Sequence, residues 1–469
     1  MTVTGIIAEY NPFHLGHAYH LAEARRLTDA DFLIVVMSGD FVQRGDPALF
    51  NKYLRAQMAL ENGADLVLEL PVPFATAGGE DFAGGSVAIL DKLGVVDSLV
   101  FGSESGEIED ILTLADLLEN ETEETGPLIR QGLKEGLSYP AAVCRAFLAA
   151  KNNDFPTVKD DRDYPEAASD SSNIQASSHR LEQLLSAPNN LLGVEYCRAL
   201  KRRSSTIQPM TIKRLGDYHG SSPEENRHIS SITMPVVPAD PCSAVSSMKT
   251  FTSASALRNF FREHDSSTAF EQIKSDIPES AFSLLKKEAG LSGPLFTDDF
   301  TDALFYRLLS ESEETLTHYL DVSSDLAGRI LNQLPDGRTY SELAESVKCK
   351  SYTRLRINRA LVHCLLGITD EEMAAFKQND YAGYARILGC RDSARPLLRE
   401  ISQHSSIPLL YRMKEDSLKL SGTDQRLLSR NNFAADLYRM TAQRKFGTVL
   451  PDEYSRKLIK ISHTAPNLL

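Results

Sequence analysis

Short apolar runs alternate with amphipathic stretches over the first 105 residues of the chain. Apolar runs that end at turn residues predict buried strands, and four occur here: Thr4 to Glu9, Phe32 to Met37, Leu66 to Leu70, and Leu99 to Gly102. Apolar residues at three- and four-residue spacing predict helices between them: Leu21 to Leu27, Pro47 to Asn62, and Phe82 to Leu93. We expect Pro47 to begin its helix. The alternation predicts an α/β fold with a doubly wound parallel sheet, which binds ligands beyond the carboxyl ends of its strands.

The pattern changes in the rest of the chain. Further helices are predicted from Ile108 to Leu118, Pro140 to Ala150 and Leu191 to Leu200, with a strand near Thr211 to Lys213. Residues 151–178 and 220–247 are irregular and polar, which predicts exposed loops, the first of them a mobile insertion. Helical spacing prevails from residue 265 onward. We therefore predict an α/β domain over residues 1–264 and an all-helical domain over residues 265–469.

Charge limits the partners of this chain. Its net charge of −14 disfavours unspecific nucleic-acid binding by the whole protein, so any RNA contact must be local. One segment free of acidic residues fits that requirement, with Tyr352 among its basic residues: Lys348, Lys350, Arg354, Arg356 and Arg359. The alternative is a solvated helix face. A second basic cluster, Lys201 to Arg203 with Lys213 and Arg214, is a candidate lining of the same cleft.

Cysteine usage and hydropathy indicate the compartment. The six cysteines are scattered and form no C-x-x-C pair, so we predict neither a disulfide framework nor a zinc site. The uncharged first residues lead directly into a strand, which argues against a signal peptide, and no apolar run approaches the ~18 residues of a membrane span. We expect a cytoplasmic protein.

His14-Leu15-Gly16-His17 stands where the first strand gives way to a helix. Two imidazoles beside a helix N-terminus supply N–H donors to a triphosphate, and Gly16 allows close backbone approach. The motif therefore predicts a nucleotide site for adenylyl transfer, with His14 and His17 as catalytic residues. A solvated histidine at the start of a helix is the alternative, because so short a pattern also occurs by chance.

A second pattern, Ser253 to Arg258, precedes another periodic stretch. Ser253 and Ser255 offer hydroxyl donors to the β and γ phosphates, and Arg258 offers a fixed charge for the departing pyrophosphate. Taken by itself, the pattern also fits a serine-capped helix with a surface arginine. Together the two patterns favour the phosphate site.

Longer blocks along the chain resemble the bacterial tRNA(Met) cytidine acetate ligases, which belong to the H-x-G-H nucleotidyltransferase superfamily. They occur in the family's order: Ile7 to His20, Met37 to Gly45, Ala64 to Pro71, Phe101 to Glu104, Ser138 to Ala142, Pro188 to Gly193, Ser253 to Arg258, and Ser351 to Leu355. The chain departs from the family in that residues 151–178 and 220–247 look longer than the family requires.

The resemblance implies a nucleotidyltransferase domain that uses ATP, with Mg²⁺ on the triphosphate, to activate acetate as acetyl-adenylate. The acetyl group would then pass to the N4 amine of the wobble cytidine of elongator tRNA(Met), giving N4-acetylcytidine. The resemblance also implies the following ATP contacts: Ile7, Ala8, Glu9, Tyr10, Asn11, Pro12, Phe13, His14, Leu15, Gly16, His17, Ala18, Tyr19, His20, Gly102, Asn189 and Arg214. Asn189 is preferred to Asn190 for its spacing from Arg214.

Four polar residues are further candidates for the mouth of the site: Asp40, Gln43, Arg44 and Lys52. Asp40 is equally a candidate for a turn or helix cap, whereas Arg44 is expected to contact RNA or the carboxylate. We expect Asn11 to cap the first helix and to reach ATP through its backbone. His20 is either part of the site or a buried, hydrogen-bonded histidine.

Two other functions remain open from the sequence. The phosphate motifs alone also fit an adenylyltransferase that acts on a small phosphorylated metabolite, although the long helical half with its basic segment disfavours that function. A non-catalytic RNA-binding protein that retains the fold is the other alternative. The presence of His14, Gly16, His17 and Arg258 together argues against it.

Overall fold

The computed structural model describes residues 1–119, 125–135, 142–143, 145–146, 183–214, 253–264, 266–336 and 338–462. These residues form two compact units, one of Met1–Leu99 with Leu215–Leu469 and one of Val100–Arg214. The predicted boundary between residues 264 and 265 falls inside the first unit. The stretches 151–178 and 220–247, and most of the helix predicted over 140–150, lie outside the described residues.

The described strands are, in chain order, β1 (Val3–Ala8), β2 (Phe32–Ser38), β3 (Phe41–Val42), β4 (Asp46–Pro47), β5 (Leu66–Leu70), β6 (Ser98–Ser103), β7 (Gln208–Lys213), β8 (Ala385–Arg391), β9 (Leu409–Leu410) and β10 (Ile459–Ile461). All four strands predicted in the first 105 residues are present, and each observed end lies within one residue of the predicted end.

The described helices of the first part of the chain are α1 (Leu15–Thr28), α2 (Lys52–Glu61), α3 (Val72–Ala75), α4 (Gly79–Lys92), α5 (Ile108–Glu119), α6 (Thr125–Lys134) and α7 (Pro188–Arg202). Those that follow are α8 (Ala254–Glu263), α9 (Ser266–Ile273), α10 (Glu279–Glu288), α11 (Thr301–Leu309), α12 (Glu313–Leu316), α13 (Ser324–Gln333), α14 (Tyr340–Ser346), α15 (Arg354–Leu366), α16 (Asp370–Gln378), α17 (Arg395–His404), α18 (Met413–Asp416) and α19 (Gly422–Phe446).

Parallel pairing of β1, β2, β5 and the start of β6 confirms the predicted α/β sheet. β2 pairs in parallel with β1 and with β5, and β1 also pairs with β6 through Thr4 and Gly5. Ala8 lies opposite Met37, and Ser38 lies opposite Leu70. The carboxyl ends of β1, β2 and β5 therefore share one edge, and the His14 motif follows β1 at that edge. In the second unit β6 continues beside β7.

The C-terminal part is largely helical, as expected, but it also contributes strands to the sheet. β8 pairs antiparallel with β5, and β9 and β10 pair in parallel with β8. A charged residue, Arg386, interrupts the apolar pattern of β8, although its side chain is buried. Burial of a charge depends on its partners, so the local pattern does not predict this strand.

Those partners form a cluster of buried charges. Lys52 Nζ lies 2.7 Å from Glu69 Oε1, 2.8 Å from Glu453 Oε2 and 3.6 Å from Asp40 Oδ2. Arg386 pairs with Glu69 at 3.0 Å and also with Glu453. Each cation thus has carboxylate partners in an interior where an unpaired charge would be costly. The cluster joins β5, α2 and β8 to the segment that leads into β10.

Pro47 does not begin a helix, contrary to the sequence-based prediction. It belongs to β4, where it lies opposite Phe41 of β3 in a two-stranded hairpin. α2 begins at Lys52 instead, because Asn51 caps it by accepting a hydrogen bond from the backbone N–H of Leu54. Proline at the edge of a short hairpin loses no sheet hydrogen bond.

The helical part has a continuous apolar core. Leu304 and Leu308 of α11, Leu326 of α13, Leu343 of α14 and Leu361 of α15 are all fully buried in it. Phe41 of the β3–β4 hairpin belongs to the same cluster. Residues after 300 and the loop that follows β2 therefore share one core, which agrees with their placement in one compact unit.

Gly45 allows the β3–β4 hairpin to approach α15. It has a φ of 73°, and a Cβ at this position would collide with the backbone of Asn358 and Arg359. Asn358 Nδ2 also donates to Asp46 Oδ1 over 3.2 Å. Only glycine fits a left-handed turn in such close contact, so this residue fixes the hairpin that carries Arg44.

Among the described residues, Cys197, Cys349, Cys364 and Cys390 are free thiols. Of the helices in the described ranges, none is long and apolar enough to cross a membrane.

We predict that Gly45→Ala destabilises the protein by about 3 kcal/mol or more, because the methyl group adds a steric collision to an unfavourable φ. Gly447→Ala is the matched control, since Gly447 has nearly the same φ of 71° with open space around it. The control should lose only about 1 kcal/mol. Urea unfolding of the two variants measures both losses, and equal losses would contradict the close contact.

We predict that Glu453 makes stability sensitive to acid. Burial alone would raise the pKa of its carboxyl. The opposing effect of Arg386 and Lys52 is larger and lowers the pKa to about 2. A carboxylate with a lowered folded pKa stabilises the protein above its unfolded pKa, and this contribution disappears as the pH falls from about 4.5 to about 2. The contribution is on the order of 3 kcal/mol.

Urea unfolding of the wild type and of Glu453→Gln between pH 7 and pH 2.5 tests this linkage. The variant should be less stable at pH 7, where Lys52 and Arg386 lose a counter-charge, and the gap should narrow as the pH falls. A gap that stays constant with pH would contradict the assignment.

Candidate active site at the carboxyl end of the first strand

His14 and His17 form the cap of α1. His14 Nδ1 accepts the backbone N–H of Gly16 at 3.0 Å, and His17 Nδ1 accepts the backbone N–H of His14 at 3.2 Å. This reciprocal arrangement is a capping box, which satisfies N–H groups that a helix start otherwise leaves without partners. The two rings are 3.8 Å apart between centroids. The motif is therefore a rigid helix start.

These hydrogen bonds determine which nitrogen carries the proton. An Nδ1 that accepts a backbone N–H is unprotonated, so the neutral ring carries its proton on Nε2. Both imidazoles are thus set as Nε2–H donors at the N-terminus of α1, where the helix dipole also favours an anion. This arrangement can stabilise negative charge on phosphate oxygens.

The loop between β1 and His14 is strained and buried. Tyr10 has a φ of 51°, a left-handed conformation that non-glycine residues adopt at an energetic cost. The Tyr10 ring packs edge-on against His17 and Phe13, each at 4.9 Å between centroids. Tyr10, Asn11, Pro12 and Phe13 are all buried. The side chains of these predicted ATP contacts are therefore enclosed by the protein.

Asn11 does not cap α1, which corrects the sequence-based prediction. Its Oδ1 accepts the backbone N–H of Leu49 at 2.8 Å, so the side chain holds the loop against the segment before α2. His14 takes the capping position instead. A pattern-based interpretation favours asparagine for this role because histidine is a rarer cap.

The Ser253 to Arg258 pattern meets the loop after β1, and it contains the serine cap that was its alternative. Ser253 caps α8 by accepting the N–H of Ala256 at 3.2 Å. Arg258 Nη1 donates to the carbonyl of Asn11 at 2.7 Å, and its Nη2 donates to Ser255 Oγ at 2.9 Å. Arg258 is therefore not a surface arginine. It places a positive charge directly behind the His14 motif.

The surroundings of Arg258 contain charges of both signs. Burial lowers the pKa of its guanidinium, and Arg44 lowers it further, whereas Glu9 and Asp46 raise it. Arginine stays protonated through shifts of this kind. The site thus combines the fixed cation Arg258 with a second cation, Arg44, on the β3–β4 hairpin. The carboxylate of Glu9 is held nearby by the backbone N–H of Gln43, at 2.9 Å.

Arg55 of α2 ties the ends of two strands together. Its guanidinium donates to the carbonyl of Glu9 at 2.5 Å, to that of Ser38 at 3.1 Å and to that of Gly39. Its Nε donates to the carbonyl of Phe50 at 2.9 Å. The carbonyls of Glu9, Ser38 and Gly39 lie at the ends of β1 and β2, where the sheet hydrogen bonds stop. Arg55 therefore satisfies buried acceptors that would otherwise lack donors.

Asp40 and Lys52 do not lie at the mouth of the site, which corrects their placement. Asp40 Oδ1 accepts the backbone N–H of Lys52 at 2.8 Å, so Asp40 has the turn and capping role that was its alternative. Lys52 is fully buried in the charge cluster with Glu69 and Glu453. A lysine at the start of a helix looks exposed in sequence, because its partners are distant along the chain.

In the second unit, Asn189 and Arg214 lie together. Arg214 Nη1 is 3.4 Å from Asn189 Oδ1, and a Cβ at Gly102 would be 3.2 Å from Arg214 Cγ. Asn190 is buried, and its Oδ1 accepts the backbone N–H groups of Glu104 and Ser105. Asn189 is half-buried and stays the predicted ligand contact of the two.

The basic segment is partly neutralised. Lys348 and Arg354 both pair with Glu345, at 3.2 and 2.7 Å, and Arg359 pairs with Asp321 at 3.3 Å. Arg356 lies 5.0 Å from the centre of the Tyr352 ring, and Lys350 is exposed. Within the described part of the chain, neither Lys350 nor Arg356 forms an ion pair. Lys201 and Arg202 are also paired, with Asp116 and Glu119.

Sequence reasoning missed Arg55, Asp46 and Glu104. Glu104 accepts the backbone N–H of Asn190 at 2.9 Å and the side-chain amide of Asn189 at 2.6 Å, so it anchors the start of α7. Glu104 ends the block Phe101 to Glu104 that carried the family resemblance, and this position in the block was the signal that could have identified it. Arg55 gave no local signal, because its acceptors are backbone carbonyls. Over the described ranges, no group of three or more His, Cys, Asp or Glu side chains is arranged to hold a metal ion.

Curated relatives match this chain over nearly its whole length. The tRNA(Met) cytidine acetate ligase of Acetivibrio thermocellus is 33% identical over 98% of this chain and 100% of its own. The protein of the same name from Thermoanaerobacter sp. strain X514 is also 33% identical, with the same coverage.

Solved structures agree with these relatives. The crystal structure of Thermotoga maritima TmcAL bound with alpha-thio ATP has a TM-score of 0.79 and 28% identity, covering 99% of this chain and 100% of its own. The apo form of the same protein has a TM-score of 0.81 at equal identity and coverage. The model of the family described as HIGH Nucleotidyl Transferase matches residues 1–234 and 240–449. The chain belongs to this HIGH Nucleotidyl Transferase family.

Proposed function

We propose that this protein is an ATP-dependent tRNA(Met) cytidine acetate ligase. It activates acetate as acetyl-adenylate and transfers the acetyl group to the N4 amine of the wobble cytidine of elongator tRNA(Met), in the cytoplasm. The observation that carries this proposal is the pair of imidazoles, His14 and His17, whose Nδ1 atoms accept backbone N–H groups at the start of α1, with Arg258 bound to the same loop. Relatives of that name align with the chain from end to end.

In the first step, a carboxylate oxygen of acetate attacks the α-phosphorus of ATP, and the bond to pyrophosphate breaks. Acetate is already ionised at neutral pH, so no protein base has to remove a proton. The barrier comes from bringing two anions together and from charge that builds up on the phosphoryl oxygens. Catalysis therefore depends on preorganised donors rather than on proton transfer.

His14 and His17 fit this requirement, because their Nδ1 atoms are held by backbone N–H groups and their Nε2–H groups are the donors. Arg258, with Ser253 and Ser255 on the first turn of α8, would stabilise the departing pyrophosphate. The remaining residues of Ile7 to His20 would contact ATP mainly through the backbone, and Gly102, Asn189 and Arg214 stay predicted contacts. Mg²⁺ would enter on the triphosphate oxygens, because Mg²⁺ retains water and prefers phosphate ligands.

In the second step, the N4 amine of cytidine attacks the acetyl carbonyl carbon, AMP leaves with the bridging oxygen, and the amine loses a proton. The base must leave its stack to reach the anhydride. Arg44 is close enough to Arg258 to lower its pKa, and it precedes Gly45, which packs against the backbone of α15. These two neighbours support a role for Arg44 toward both ATP and RNA. We propose that Arg44, Lys350 and Arg356 guide the RNA backbone, with smaller contributions from Lys348, Arg354 and Arg359.

We predict that His14→Asn lowers acetate-dependent ATP–pyrophosphate exchange by about 10²–10³-fold, the cost of losing one preorganised donor. Asparagine is a good helix cap and its oxygen can accept the N–H of Gly16, so α1 should remain formed. It lacks a donor at the position of Nε2. The exchange rate at saturating ATP, measured beside thermal unfolding, separates the two roles of His14.

His14→Ala serves as the matched comparison, since it removes both the cap and the donor. It should show a similar fall in exchange rate and should lose about 1 kcal/mol of stability in addition. Exchange that persists in His14→Asn at the wild-type rate would end the catalytic assignment of this residue.

We predict that the double variant Lys350→Glu/Arg356→Glu weakens tRNA binding and reduces its salt dependence while acetyl-adenylate formation continues. For each RNA phosphate that the protein no longer neutralises, the slope of log K against log salt becomes shallower by about one. Filter binding of tRNA at several salt concentrations measures the slope, and pyrophosphate exchange measures the first step.

Lys286→Glu/Lys287→Glu is the charge-matched control, because both lysines are exposed on α10. It should leave the slope unchanged. An equal loss of tRNA binding in both double variants would indicate a general charge effect and contradict a specific RNA contact at α15.

A further inference from the structure

A cavity with no assigned role lies beside α17. It has a volume of about 780 Å³ and is lined by residues of β8, α17, the segment after α17 and the start of β10. Asp392 is the one acidic residue in its lining. Five lining residues are basic: Arg391, Arg395, Arg399, Lys419 and Lys460. Such a concentration of positive charge is unusual in a chain with a net charge of −14.

The cavity is distinct from the His14 site. Cys390, which lines it, lies opposite Leu66 at the start of β5. The His14 motif follows β1 at the other edge of the sheet, where β5 ends at Leu70. The five residues of β5 span about 13 Å at the usual rise of a strand. A ligand in this cavity therefore does not contact the acetate-activating residues.

Three of the five cations have no counter-ion in the part of the chain that the structure describes. Arg391 is held by Asp65 and the carbonyl of Leu60, and Lys419 pairs with Asp416. The other three, Arg395, Arg399 and Lys460, form no ion pair with any described residue. Arg395 and Arg399 are four positions apart on α17, so their charges repel across one helical turn. An anion between them would remove that repulsion.

The remaining lining residues indicate the kind of anion. Leu398 and Ile407 supply apolar surface beside the arginines, and Tyr411 offers an aromatic ring that is 49% exposed. A simple anion needs no apolar surface, whereas the base of a nucleotide stacks on aromatic and apolar groups. The volume lies within the range of small-molecule sites.

We infer that this cavity is a second ligand site that binds a nucleoside diphosphate, with the phosphates on Arg395, Arg399 and Lys460 and the base against Tyr411. Such a ligand would explain why these cations gather at the end of the sheet opposite the His14 motif. Its occupant would contact β8, the strand that carries Arg386 of the buried charge cluster.

Isothermal titration with ADP, CDP, GDP and UDP tests this site in full-length protein saturated with a non-hydrolysable ATP analogue. At least one diphosphate should bind the loaded wild type. Its affinity should fall at least about tenfold in Arg395→Glu/Arg399→Glu and about tenfold in Tyr411→Ala. The control Lys287→Glu/Arg426→Glu, which reverses two exposed charges outside the cavity, should retain it.

Several results would overturn the inference. The inference fails if no diphosphate binds, or if Arg395→Glu/Arg399→Glu leaves the binding intact. It also fails if pyrophosphate alone binds as tightly as the nucleotides do. Binding of an RNA oligonucleotide, but of no diphosphate, at these arginines would likewise replace it with an RNA contact. Acetate-dependent pyrophosphate exchange should be unchanged in the cavity variant, and it reports separately on the proposed function.

Discussion

The buried guanidinium of Arg55 holds the carboxyl ends of β1 and β2 in place. Sheet hydrogen bonds stop where strands diverge, and the carbonyls of Glu9, Ser38 and Gly39 would then be buried without donors. Arg55 supplies those donors from α2. The strained loop that leads to His14 begins at Glu9, so Arg55 fixes the start of the loop that Asn11 and Arg258 hold further along. A short loop can be rigid when a residue outside it satisfies its backbone.

The position of Arg55 depends in turn on the charge cluster one turn earlier in α2. Lys52 is fully buried and relies on Glu69 and Glu453, and Asp40 fixes the backbone at the start of the same helix. Burial lowers the pKa of the Arg55 guanidinium, and Asp40 opposes that shift. A residue near the end of the chain thus supports a loop near its beginning. This dependence explains why the structure does not divide at residue 264.

The sequence predicted features that arise from local patterns. The apolar runs of β1, β2 and β5 and the motif at His14 each lie within a few residues, and each is present in the structure. β8 and Lys52 were missed or misplaced for a common reason. Their environments come from Glu69 and Glu453, which are distant along the chain. Asn11 shows the same limit, since its partner is Leu49. Pro47 differs, because its partner Phe41 is close in sequence and the error lay in taking a short hairpin for the start of a helix.

Formal charge along the chain also differs from the charge that a ligand meets. The basic segment at α15 contains no acidic residue of its own, yet Glu345 lies just before it and pairs with Lys348 and Arg354. Arg258 gives the opposite case, because burial against the loop after β1 makes it a fixed cation within the site rather than a surface residue. An exposed ion pair contributes little to stability but cancels much of the field at a distance. The cations without an ion pair among the described residues are therefore the ones whose charge remains available to an anionic ligand.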